Sequence, residues 1–245
     1  MPSQPDSGLR VAGTGVYLPA RTLTNHDLEK LVDTSDEWIL TRTGIKERRI
    51  ASEQETSTFM GVAAARQALA NAKVTAKELD LILTATVTPD SMFPSSSCRI
   101  SAEIGAAGCP AFDLQAACSG FLYGLIVADQ FLKTGAAKNI LLIGTERLSS
   151  VVDWRDRNTC VLFGDGAGAV VVRNEPGRRG ILAFDWGADG SAAELLHLRN
   201  PMARGKAIAP PATMEADCIV MAGKEIFKQA VTAMADSSRR SMEKA

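Results

Sequence analysis

Residues 109–135 read CPAFDLQAACSGFLYGLIVADQFLKTG. The first part, CPAFDLQAA, predicts a short buried strand. The second, SGFLYGLIVADQFLKTG, predicts a helix apolar on nearly every side, and therefore a central one. A buried strand that runs straight into a buried helix places the chain in the α/β class. Cys118 stands at the junction, and two readings of it stay open from the residues alone. A cysteine among alanines is an ordinary small core residue. A cysteine at a helix N-terminus is also a nucleophile, because the dipole and the free backbone N–H groups favour the thiolate. The same N–H groups can hold an oxyanion on an acyl carbonyl. Ala116, Ala117, Ser119 and Gly120 leave space for a substrate to approach.

Outward from this stretch the pattern repeats. LRVAGTGVYL (9–18), LDLILTATV (79–87), KNILLIGT (138–145) and GAGAVVVRN (166–174) predict strands. TSTFMGVAAARQALANA (56–72) and PSSSCRISAEIG (94–105) predict helices, the second ended by Gly105. Asn25 is the expected cap of a helix through HDLEKLVD, and Ser35 of one through DEWILTRT closed by Gly44. The sheet is expected to be mixed or largely parallel and covered on both faces. FGDGAGA (163–169) lacks the dinucleotide fingerprint and precedes a strand, so it predicts a turn into a core strand and no cofactor. EPGRRG (175–180) reads as a connector. Beyond it lie one expected strand, ILAFDWGADG (181–190), an irregular Pro-rich stretch and the amphipathic helix KEIFKQAVTAMADSSRRSMEKA (224–245). Residues 1–174 form one expected half. Residues 175–245 form the start of a second, with too few elements to bury that helix's apolar face.

A formal net charge of −1 points to neither nucleic acid nor an anionic membrane. MPSQPDSGLR has no apolar core of a signal peptide, and no run is long enough to span a bilayer. Five cysteines without a C-x-x-C speak against a disulfide framework or a zinc site, so a reducing cytoplasm is the expected setting and no metal is expected.

DLQAACSGF resembles the nucleophile segment of the β-ketoacyl-acyl carrier protein synthase III family of thiolase-fold condensing enzymes. GTGVYLPARTLTNHDLEKLVDTSDEWILTRTGIKERRI, FPSSSCRI, FGDGAGAVVV and MAGKEIFKQAV agree with that family in the same order. The resemblance implies a thiolase-like fold of layered α/β sheets with an incomplete second half, and Cys118 as the acyl-accepting nucleophile. It implies that Trp38, Arg42 and Arg157 hold the adenine end of coenzyme A, which suits an indole and two guanidinium groups. Met221, Ala222 and Gly223 then match the wall of the pantetheine channel. Phe93 matches a residue that reaches across a homodimer interface to the acyl pocket. The implied partners are acyl-coenzyme A, acetyl-coenzyme A as primer, and malonyl-acyl carrier protein; the thioester is a substrate, and no cofactor is implied.

The resemblance also implies a His and an Asn for decarboxylative condensation. The only histidines, His26 and His197, stand outside the family's P-H-Q-A-N context, and both read as surface or packing residues. The chain is therefore expected to be a C-terminally truncated synthase that keeps acyl transfer to Cys118 and lacks condensation. Two alternatives are a relative that primes polyketide or specialised metabolism, and a non-catalytic fragment.

Overall fold

The structure, a computed structural model, describes residues 7–177, 180–199 and 218–245. The Pro-rich stretch, Arg178 and Arg179 of the connector, and the first six residues lie outside the described residues.

The architecture is built on a five-stranded mixed sheet. Its strands are β1 (Ser7–Tyr17), β4 (Leu81–Ala85), β5 (Ala111–Leu114), β6 (Asn139–Arg147) and β7 (Asp165–Pro176), in the order β1-β7-β6-β4-β5. β4 runs parallel to β5 and β6; β7 is antiparallel to β6 and to β1. All five residues of β4 are buried, as a continuous apolar run between two neighbours requires. CPAFDLQAA is a strand, but β5 lies at the sheet edge and is only partly covered: Phe112 is exposed. A run of apolar residues cannot by itself tell an edge strand from a central one, because strand order is a long-range property.

Alternate side chains of each strand point to opposite faces. On one face Ile82, Leu141, Ile143 and Val171 meet α3 (Ser57–Ala72), with Ile100 of α4 (Ser96–Ile104) beside them. On the other, Leu83, Ile140, Leu142 and Val172 meet Ala128 and Leu132 of α5 (Gly120–Lys133). α5 is thus buried on one side only, and Leu122 on its opposite side is 63% exposed. The expectation of a fully enclosed helix is corrected on this point. A third apolar cluster forms where β2 (Thr22–Thr24), α1 (Asn25–Leu28), α2 (Asp36–Thr43) and β3 (Glu47–Arg49) pack Leu23, Leu28 and Ile39 against Val152, Cys160 and Val161.

Local chemistry explains the boundaries. Ser35 Oγ accepts the Trp38 amide at the start of α2, and Gly44 (φ 72°) ends it, both as expected. Asn25 is not a cap. Thr24 caps α1 in a reciprocal box with Asp27, whose carboxyl is held down to about 2, first by the Thr24 hydroxyl and then by Lys30. Asn25 is buried, donates to Asp36 and to the Ile45 carbonyl, and accepts from the buried Arg48. A polar residue with three such partners cannot also turn outward to cap its own helix.

Residues 181–189 form no strand. β8 (Leu196–His197) and β9 (Val220–Met221) pair as a small separate ladder, and α6 (Gly223–Lys244) follows with no buried residue. Ser237, Arg240 and Lys244 tie α6 to Asp185, and both cations hold that carboxyl well below its usual range.

α3 crosses β1 at Gly13 and Gly15, where an added Cβ would fall on backbone atoms of Ala72 and Ala68, and of Ala64 and Ala68. A backbone cannot yield as a flexible side chain can. Gly15→Ala is expected to destabilise the fold by about 3 kcal/mol. Gly187→Ala meets open space and should stay within about 0.5 kcal/mol of the parent. Urea melts of the two variants check the contrast, and equal midpoints would refute the close-approach argument.

Candidate active site

β4, β5 and β6 are parallel, so their carboxyl ends lie at one edge, which is where α/β sheets place ligands. A cavity of about 1070 Å³ opens there. Its wall includes Ala85 at the end of β4, Val87, Thr88 and Pro89 after it, Gln115 to Cys118 after β5, and Gly144 to Glu146 of β6. Gly166 to Gly168 of β7 and Leu196 to Arg199 around β8 complete much of it.

Cys118 is exposed within this wall. The chain leaves β5, passes Ala117 at φ 44° and turns through a short 3₁₀ segment, Ala117–Ser119, into α5. A left-handed conformation at a residue with a Cβ is strained, and here it stands immediately before the thiol. No side chain caps the start of α5. The Ser119 and Gly120 amides donate to the Ala116 and Ala117 carbonyls of the 3₁₀ turn, and the positive end of the helix dipole lies beside the thiol. The nucleophile reading of Cys118 fits this geometry better than the core reading, since a packing cysteine would be enclosed. Cys160 supplies the contrast: it is fully buried, and burial pushes its thiol up.

Arg157, distant in sequence, meets Trp38 and Arg42 of α2. The Arg42 guanidinium carbon lies 4.4 Å from the centroid of the Trp38 ring, and that of Arg157 lies 5.1 Å from it. Arg157 also donates to the Asp33 carbonyl at 2.8 Å. Trp38 is half-buried against the third apolar cluster. The other expected residues stand apart from the cavity wall. Met221 ends β9, Ala222 donates its amide to the Leu195 carbonyl at 2.8 Å, and Gly223 opens α6. Ile219, two residues before Met221, lines the cavity. Phe93 is 84% exposed on the outer surface, while its neighbour Met92 lines the cavity.

The sequence reading missed several wall residues. His197, read as an ordinary surface or packing residue, lines the same cavity as Cys118, with Nδ1 3.3 Å from the Glu194 carbonyl. Glu146 is half-buried in the wall. Its oxygens accept the Val87 amide at 2.8 Å and the Thr88 hydroxyl at 2.5 Å. Burial raises its carboxyl above the usual range despite these bonds. An acidic residue at the end of an otherwise apolar strand was the signal available for it. Gly166 and Gly168 lie within β7 rather than in a turn before it, and a Cβ at Gly168 would meet open space. Among the described residues no group of three His, Cys, Asp or Glu side chains could hold a metal ion.

The family model for 3-oxoacyl-[acyl-carrier-protein] synthase III matches residues 112–190. The β-ketoacyl-[acyl-carrier-protein] synthase III of Aquifex aeolicus is 54% identical over 238 residues, which is 97% of this chain and 72% of that protein. A Bacillus anthracis protein named β-ketoacyl-[acyl-carrier-protein] synthase III 1 is 47% identical over 96% of this chain and 70% of its own length. The crystal structure of the Aquifex aeolicus synthase superposes with a TM-score of 0.88 at 53% identity, covering 97% of this chain and 72% of that one. The priming β-ketosynthase of the R1128 polyketide pathway superposes at 0.89 with 37% identity, covering 98% and 71%.

The strain at Ala117 gives a direct test. Ala117→Gly should stabilise the protein by about 1 kcal/mol, and Ala117→Val should destabilise it by more than that. Thermal melts would overturn the strained elbow if glycine proved the less stable of the two.

Proposed function

The chain belongs to the β-ketoacyl-[acyl-carrier-protein] synthase III family, and on that premise we propose that it accepts an acyl group from an acyl-coenzyme A primer onto Cys118. The observation that carries this reading is an exposed thiol on a strained turn, below an uncapped helix N-terminus, facing an apolar cavity. The thiolate attacks the thioester carbonyl, and the oxyanion forms at the positive end of the α5 dipole. Collapse expels the coenzyme A thiolate and leaves a new thioester on Cys118.

Trp38, Arg42 and Arg157 are the proposed adenine site. Their mutual stacking supports it, because an indole face flanked by two cations suits a purine and its phosphates. Met221, Ala222 and Gly223 are proposed to border the pantetheine arm where β9 passes into α6. Acetyl-coenzyme A is the expected primer. In the family's full reaction, decarboxylation of malonyl-acyl carrier protein supplies the carbanion that attacks the acyl-cysteine and begins fatty acid synthesis. Neither histidine of this chain stands in the motif expected for that step.

Residues 1–174 are the proposed nucleophile-bearing half, with 175–245 belonging to a second. A homodimer is proposed through the open edge of β5, beside the exposed Phe93 and Phe112. Five cysteines without a C-x-x-C support a cytoplasmic setting, and no described helix is long and apolar enough to cross a membrane. The 37% identity to a priming ketosynthase favours a second reading, in which the primer feeds polyketide assembly.

Incubation with labelled acetyl-coenzyme A should place label on the Cys118 peptide and none on Cys118→Ala. Trp38→Ala should raise the KM for the thioester about tenfold. Label elsewhere, or none, would sink the reading. A branched primer preferred over acetyl would favour the second reading. Robust ketoacyl product on adding malonyl-acyl carrier protein would refute the restriction to acyl transfer.

A further inference from the structure

Glu146 is the cavity-wall carboxylate that the proposed chemistry leaves unused. It is the penultimate residue of β6, on the face that carries Ile140, Leu142 and Gly144, which is the side of α5 and Cys118. Its two oxygens hold the loop that follows β4 by the Val87 amide and the Thr88 hydroxyl. The Thr88 hydroxyl in turn accepts the Arg147 amide at 2.8 Å, and the Thr88 carbonyl accepts the Ser57 hydroxyl at 2.6 Å. Val87, Thr88 and Pro89 face the same cavity as Cys118. We propose that Glu146 is a positioning residue for acyl transfer, its carboxylate holding residues 87–89 as the wall beside Cys118 and loosening them when it is protonated. This inference rests on the acyl-transfer reading.

The ionised carboxylate accepts from two donors. On protonation one oxygen gains a hydrogen, and the Thr88 hydroxyl, which also accepts the Arg147 amide, must reverse its bond to the carboxyl, leaving its own hydrogen without this acceptor. Burial raises this carboxyl, so the change comes at a higher pH than for a solvent-exposed glutamate. The surrounding charged groups are Arg147 on β6, Asp165 opposite it on β7, Glu55 near Arg147, and Asp90 on the held loop. Cys118, His197 and Arg199 share the cavity. A raised pKa means that the folded protein takes up this proton more readily than the unfolded chain, so protonation here does not itself lower global stability. Acyl transfer that falls while the melting temperature holds is therefore a positioning effect.

The test is the rate of Cys118 acylation from acetyl-coenzyme A across mildly acidic to neutral pH. The parent should show an acidic limb. Glu146→Gln should be slower at neutral pH by about tenfold and lack that limb, and Glu146→Asp should recover part of both. Parent-like rates and limb in Glu146→Gln, or no recovery in Glu146→Asp, would overturn the proposal. A parent that takes no acyl group sinks the proposed function instead. Hydrogen exchange at the Val87 amide then decides the clamp: faster exchange in Glu146→Gln supports it, and unchanged exchange removes it.

Discussion

β4 is the element on which the remainder depends. None of its five residues is exposed, and it lies between two parallel neighbours. Its backbone groups must be paired on both edges and its side chains covered on both faces. Covering one face requires α3 and α4, and covering the other requires α5. Parallel pairing then brings the carboxyl ends of β4, β5 and β6 together. Cys118 follows β5 by a few residues and α5 must start at once to reach its side of the sheet, so the thiol is carried to that common edge. The site is a consequence of how a buried parallel strand is enclosed.

Carboxylates secure the loops around this edge. Asp113 of β5 accepts the Ser96 and Ser97 amides at the start of α4, at 2.7 and 2.8 Å. Asp90 accepts the Ser57 and Thr58 amides at the start of α3. Asp165 accepts the Ala51 and Ser149 amides and the Ser149 hydroxyl. Hydrogen bonds to an ionised acceptor contribute about 1.5–3 kcal/mol each, and a carboxylate at a helix start also meets the positive end of the dipole. Glu146 has the same role in the cavity wall, but there burial opposes the ionised form. The region beyond β7 is secured differently. α6 buries no residue, and its ties to Asp185 are exposed ion pairs, so its local stability is expected to be the lowest among the described helices.

Much of the fold was legible in the sequence. Ser35 and Gly44 bound α2 where the cap chemistry places them, and Gly105 ends α4 at φ 81°. The strand-to-helix passage at Cys118 was legible because both flanking segments declare themselves by their apolar pattern. The errors have a common cause. Asn25 has the residue type of a cap, but its partners Asp36, Ile45 and Arg48 lie 11 to 23 residues away. ILAFDWGADG has strand-like residues, yet without a pairing neighbour among the described residues it forms no strand. The apolar pattern of β5 suits a buried strand, but composition carries no information on strand order.

The sequence by itself determined the α/β class, the order of most elements, and a cysteine at a helix start. Each follows from interactions within a few residues, which local pattern records directly. Only the tertiary structure decided that β5 lies at the edge, that Arg157 meets Trp38 across more than a hundred residues, and that Glu146 and His197 share a wall with Cys118. Those outcomes depend on which apolar faces are buried together and in what register, and that balance is struck across the whole chain.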